Sequence, residues 1–116
     1  MAELFARDTI KSLRKLRQLK PDLFKGFIEW DQQVFKDGAI PMRTKELMAI
    51  TAAHVTQCMW CIEEHVKRAK KIGVTDEEIA EAAFVAMALR AGGAFSHACI
   101  AMAASEENKA ADGHNR

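Results

Sequence analysis

The stretch His54-Val55-Thr56-Gln57-Cys58-Met59-Trp60-Cys61-Ile62-Glu63-Glu64-His65 decides how this chain is read. Two cysteines spaced C-x-x-C can close a reversible disulfide, and the thioredoxin use of that spacing needs a βαβ surround. No strand pattern flanks the pair, so an all-α thiol protein is expected. Taken as one helix, His54, Cys58, Cys61 and His65 share a face, which a buried seam of small thiols and satisfied histidines would also produce. Zinc has the right ligand types, but four ligands along one helix span about 16 Å and cannot close a tetrahedral cage. Only a two-ligand site completed elsewhere would survive, and no metal is assigned. Covalent haem needs His directly after the second Cys, where Ile62 stands.

Redox chemistry places the residues better. A chain break at Thr56 or Gln57 would put Cys58 and Cys61 in the first turn of a new helix, where unpaired N–H groups favour anionic sulfur. His65, one turn after Cys61, can take its proton. The first-turn position alone favours Cys58 as the more acidic thiol, whereas the His65 spacing favours Cys61.

Outward from this stretch the chain reads as six helices. The first, roughly 3–19, carries Ala6, Ile10, Leu13 and Leu16 on one stripe, with Lys11, Arg14, Lys15 and Arg17 mostly on a solvated face. Pro21 opens an apolar second helix running toward Gly38. Pro41 and Thr44 introduce a third, from Lys45 to about Val55. The fourth carries the cysteines and runs to Lys71, with Gly73 as its stop. Thr75 and Glu78 form a capping box for a fifth, Asp76 to about Arg90. Gly92-Gly93 is expected to break it, leaving an Ala-rich sixth helix, 94–104, and a polar tail over 106–116 that frays. Cys99, among Ala98, Ile100 and Met102, is expected to be an inert core thiol.

The 116 residues make a single domain, 49% hydrophobic and 28% charged with net charge +1. No basic stripe indicates a nucleic-acid partner. The charged N-terminus lacks the apolar centre of a signal peptide, and no apolar run approaches the ~20 residues of a membrane span. The expected location is therefore cytoplasmic, with no membrane partner. An odd count of three cysteines agrees with reduced thiols and no structural disulfide framework.

Glu46, eleven residues, Cys58, two residues, Cys61, three residues and His65 reproduce the E-x11-C-x2-C-x3-H signature. In this respect the chain resembles the alkylhydroperoxidase D-like (AhpD-like) branch of the carboxymuconolactone decarboxylase family. The likeness covers about residues 40–97, including Pro41-x-x-Thr44-Lys45-Glu46-Leu47, Gly73-Val74-Thr75-Asp76-Glu77-Glu78-Ile79 and Ala91-Gly92-Gly93. It implies a six-helix oligomeric fold. It also implies that Cys61 is the peroxidatic thiol, Cys58 the resolving thiol, His65 the base and Glu46 the end of a proton relay. On one straight helix Glu46 would lie about 22 Å from Cys61, so the relay requires the chain to turn between them. The family's strong peroxidases resemble one another in having a His between the cysteines, where this chain has Met59-Trp60. His54, Trp60 and His97 are candidate pocket residues.

The expected function is thiol-dependent hydroperoxide reduction or disulfide exchange, with no bound cofactor. The resemblance implies an external dithiol reductant, dihydrolipoamide-like or a lipoylated protein. Lactone decarboxylation, with Glu46 and His65 as acid–base groups, and a non-enzymatic redox sensor are the alternatives. A homo-oligomer is expected from Phe24, Phe27, Trp30 and Phe35 on one short helix, and the resemblance makes it a trimer or hexamer.

Overall fold

The computed structural model describes residues 5–114, with side chains through Asn108. Among these residues every regular element is helical. A 3₁₀ segment, Arg7–Ser12, leads into α1 (Leu13–Leu19), α2 (Pro21–Val34), α3 (Met42–Thr56), α4 (Met59–Lys71) and α5 (Asp76–His114). The all-α expectation holds, with five α-helices in place of six.

The differences have local causes. The first expected helix is 3₁₀ over its described beginning, where Arg7 is tied to α4 instead of continuing an α-helical face; positions before Phe5 lie outside the described residues. The second ends at Val34, four residues before Gly38, and the third begins three residues before Lys45, because Asp37 Oδ1 accepts the free N–H of Met42 at 2.6 Å. Gly92-Gly93 does not break α5, which runs on through 106–114. A glycine costs about 1 kcal/mol inside a helix but keeps both backbone hydrogen-bonding groups, so Ala- and Met-rich flanks carry the helix across.

Chain reversals are set by backbone chemistry. Gln57 adopts the left-handed conformation (φ 59°), and Cys58 N–H donates to Ala53 O at 3.0 Å, which closes a Schellman turn between α3 and α4. At the far end of α4, Gly73 (φ 88°) does the same, with Val74 N–H on Ala69 O and Gly73 N–H on Lys70 O. Thr75 and Glu78 then form the expected capping box: Glu78 N–H reaches Thr75 Oγ1 at 3.2 Å and Thr75 N–H reaches Glu78 Oε1 at 3.1 Å. Arg43 clamps the same carboxylate and, with Thr75, lowers its pKa to about 2.

The core is small and lies where α3, α4 and α5 meet. Ile50, Ala69, Val74 and Ala82 are buried there, with Leu47, Val66 and Ile79 packed against them. Outside it the subunit is open. Its radius of gyration is 21.2 Å, against about 13 Å for a compact chain of this length. Its accessible surface is 9655 Å², against about 6300 Å² for a folded monomer of this mass. Leu23, Phe27 and Trp30 on α2 and Phe84, Leu89, Phe95 and Ile100 on α5 stay exposed. Cys99 is exposed too, contrary to expectation, because no described residue covers its face of α5. With the glycine pair bridged, Asp76–Asn108 is long and apolar enough to cross a membrane by length and composition, with a mean hydropathy of 1.3 in its most apolar window. Uninterrupted apolar runs in the sequence do not reveal this.

Two measurements check this account. Ile50→Ala, at a site with no solvent exposure, is expected to cost about 2–5 kcal/mol in denaturant unfolding. Glu63, whose pKa is lowered to about 2 by hydrogen bonds from Arg7 and then Lys67, contributes stability that is complete above its ordinary pKa of 4.5 and lost as pH falls through about 2. Carboxyl NMR should place its midpoint near the lower value, and Arg7→Ala should move it upward.

Candidate active site

Cys58 occupies two structural positions at once. It closes the Schellman turn of α3 and is the N-cap of α4, where its sulfur accepts the Cys61 N–H at 3.3 Å. One turn of helix therefore joins the two cysteines, which form a disulfide with their Cα atoms 5.2 Å apart. The break expected near residues 55–57 falls at Gln57, so the single-helix stripe from His54 to His65 does not exist.

Reversal at Gln57 lays α4 back along α3, and this brings His65 to Glu46. His65 Nδ1 is 2.7 Å from Glu46 Oε2, with Glu46 almost wholly buried and the imidazole 14% exposed. A carboxylate accepts, so Nδ1 carries the proton and Nε2 of the neutral ring keeps its lone pair. No buried side-chain polar atom among the described residues lacks a partner, so the carboxylate is satisfied by this bond at its buried position.

Beside the disulfide opens a cleft of ≈ 620 Å³ that includes Cys61 and His65 in its lining but not Cys58. Ile10, Phe27 and Trp60 supply apolar wall, and Arg7, Glu63 and Lys67 supply charge. Trp60 Nε1–H donates to Arg7 O at 3.3 Å, and Arg7 Nη2 pairs with Glu63 Oε1 at 2.6 Å. The 3₁₀ segment is thus fastened to the helix on both sides of Cys61. Cys61 is exposed and lines the cleft, whereas Cys58 is half-buried and does not.

Of the residues singled out from the sequence, Glu46, Cys58, Cys61, His65 and Trp60 come together. His54 does not join them: its Nδ1–H donates to Ile50 O at 2.7 Å within α3. His97 lies on α5, bonded to Gly93 O at 3.0 Å beside Val55 and Arg90. Sequence reasoning missed Arg7, Ile10, Phe27 and Glu63, which line the cleft, and Phe35, whose ring centroid lies 4.8 Å from that of His65. For Phe27 and Phe35 the only visible signal is the density of apolar residues on the second helix, which does not say what they touch, and Arg7, Ile10 and Glu63 carry no signal of their own.

The comparisons agree with this architecture. The sequence profile of the carboxymuconolactone decarboxylase family matches residues 21–104. A Paracoccus denitrificans protein known as uncharacterized protein 4 in cox locus is 52% identical over 81 residues, which span 70% of this chain and 73% of that protein. The crystal structure of an apo carboxymuconolactone decarboxylase family protein from Legionella pneumophila superposes with a TM-score of 0.67 at 36% identity, covering 87% of this chain and 90% of that one. Another from Thermotoga maritima, for which involvement in an antioxidative response has been suggested, gives 0.56 at 34% identity over 74% of this chain and 89% of that one. Likeness of this extent, in sequence and in helical architecture alike, makes the chain a member of the carboxymuconolactone decarboxylase family.

Proposed function

We propose that the chain is a hydroperoxide reductase of the AhpD-like branch, cycling between the dithiol and disulfide forms of Cys58 and Cys61. The observation that carries this reading is the exposed, cleft-lining Cys61 lying one turn before a histidine held by a buried carboxylate. In the reduced protein His65 Nε2 takes the Cys61 proton, and Glu46 stabilises the resulting imidazolium. The thiolate attacks the outer oxygen of ROOH, the O–O bond breaks, and the leaving alkoxide takes the proton from His65 to give ROH. Cys61 is now a sulfenic acid. Cys58, favoured as an anion by its N-cap position, attacks that sulfur and expels hydroxide, which is protonated to water as the disulfide closes.

A dithiol donor completes the cycle. Its thiolate attacks Cys61, the more exposed of the two cysteines, and its second thiol resolves the mixed disulfide, returning two thiols to the chain. Dihydrolipoamide or a lipoylated protein has this chemistry, and the apolar wall of Ile10, Phe27 and Trp60 suits a short hydrocarbon arm. The chemistry needs no bound metal or cofactor, and the reducing cytoplasm is its proposed location. Met59-Trp60 supplies no proton donor between the cysteines, so His65 bears the whole of the proton transfer.

The working form is proposed to be a homo-oligomer, a trimer or hexamer. Its support is the surplus surface and the apolar side chains spread over α2 and α5, which a single membrane span would not account for.

Three outcomes are expected. One equivalent of hydroperoxide should take the reduced chain from three titratable thiols to one, and Cys61→Ser should lose none; an unreactive wild type overturns the reading. Activity on a lactone substrate that survives loss of both Cys58 and Cys61 would instead favour the decarboxylase alternative. His65→Ala should slow the peroxide step by ~10²-fold, and Glu46→Gln should slow it at least ~10-fold, in stopped-flow single turnovers. Light scattering at micromolar concentration should give a mass of at least three chains, and a monomer would refute the assembly.

A further inference from the structure

One side chain ties the end of α2 to the start of α3. Lys45 Nζ donates to Val34 O at 2.8 Å and to Lys36 O at 2.6 Å. Both carbonyls lie at the C-terminal end of α2, where a cation with free donors satisfies groups the helix leaves unpaired. The residue between them is Phe35. Its ring lies 4.8 Å from the His65 ring at an interplanar angle of 32°, and the guanidinium of Arg68 lies 6.0 Å from its centroid. Lys45 directly precedes Glu46 in α3, so one helical turn reaches the imidazole by two routes. Glu46 bonds it, and Lys45 holds the backbone from which Phe35 covers it.

The two routes supply different constraints. A single hydrogen bond at Nδ1 fixes one point and one direction, but leaves the ring free to turn about that axis. A flat side chain against the imidazole face removes that freedom. Rate depends on this angle, because Nε2 must point at the thiol it deprotonates.

We propose that Phe35, anchored by Lys45, is a positioning residue that sets the plane of His65. The assignment rests on the proposed role of His65 as the base for Cys61. Phe35 touches neither sulfur nor peroxide in this scheme. Its contribution passes entirely through the histidine.

The test compares Phe35→Leu, Phe35→Tyr, Lys45→Met and wild type by two readouts on the reduced protein. Ring ¹³C relaxation of His65, at Cδ2–H and Cε1–H, reports how tightly the ring plane is held. Single-turnover thiol loss with hydroperoxide reports the rate. Wild type and Phe35→Tyr should show an ordered ring and rates within about 2-fold. Phe35→Leu and Lys45→Met should show a mobile ring and a loss of roughly 10-fold or more in the peroxide step. Unchanged ring order in both of those variants overturns the proposal, whatever the rate, and so does a mobile ring with an unchanged rate. Lys45→Met keeps the aromatic ring, so a folding defect in Phe35→Leu leaves the test standing. If wild type fails to react with peroxide, the peroxidase reading falls, while the ring-order series still decides whether Phe35 orients the ring.

Discussion

Everything that resembles chemistry in this chain depends on one reversal of direction at Gln57. A non-glycine residue in the left-handed region costs about 1–2 kcal/mol, and here the cost is offset by the Schellman bond from Cys58 N–H to Ala53 O. The turn ends α3, makes Cys58 the N-cap of α4, and folds α4 back so that His65 reaches Glu46. Without it, a carboxylate and a thiol fifteen positions apart would lie about 22 Å from each other along one helix. The disulfide and the hydrogen bond between His65 and Glu46 are therefore products of the same bend.

In the proposed cycle the two cysteines take different tasks. N-cap position favours an anionic Cys58, while exposure to the cleft and the nearby histidine favour attack at Cys61. A resolving thiol needs to be ionised as much as an attacking one does, so the two preferences are compatible. The N-terminal segment narrows access further. Arg7 is bonded to Trp60, directly before Cys61, and to Glu63, two residues after it, so the cleft is walled by a part of the chain far away in sequence.

The buried core is too small to explain the rest of the surface. Ile50, Ala69, Val74 and Ala82 are sealed, but α2 and the distal half of α5 leave large apolar side chains in the open. The proposed homo-oligomer would cover this surplus surface. Cys99 was misplaced by sequence reasoning for the same reason. Its apolar neighbours along α5 form a helix face, and a helix face becomes a core only where something covers it.

Period, capping signals and spacing alone determined the all-α class, the capping box at Thr75 and Glu78, the stop at Gly73 and the closeness of Cys58, Cys61 and His65, while Glu46 was joined to them only through the family signature. These are local properties: a left-handed glycine, a side chain returning to its own backbone and fixed gaps between functional groups are written within a few turns of chain. The continuity of α5 was not legible, because whether a glycine pair interrupts a helix depends on marginal propensities that flanking residues outweigh. His54 and His97 could not be separated from true site residues by spacing, since helical angle says which face a residue occupies and nothing about what lies opposite. Only the tertiary structure decided that Ile10, Phe27 and Trp60 wall the cleft and that Phe35 covers His65. Contacts between distant segments arise from packing, and packing follows from the shape of all the helices together.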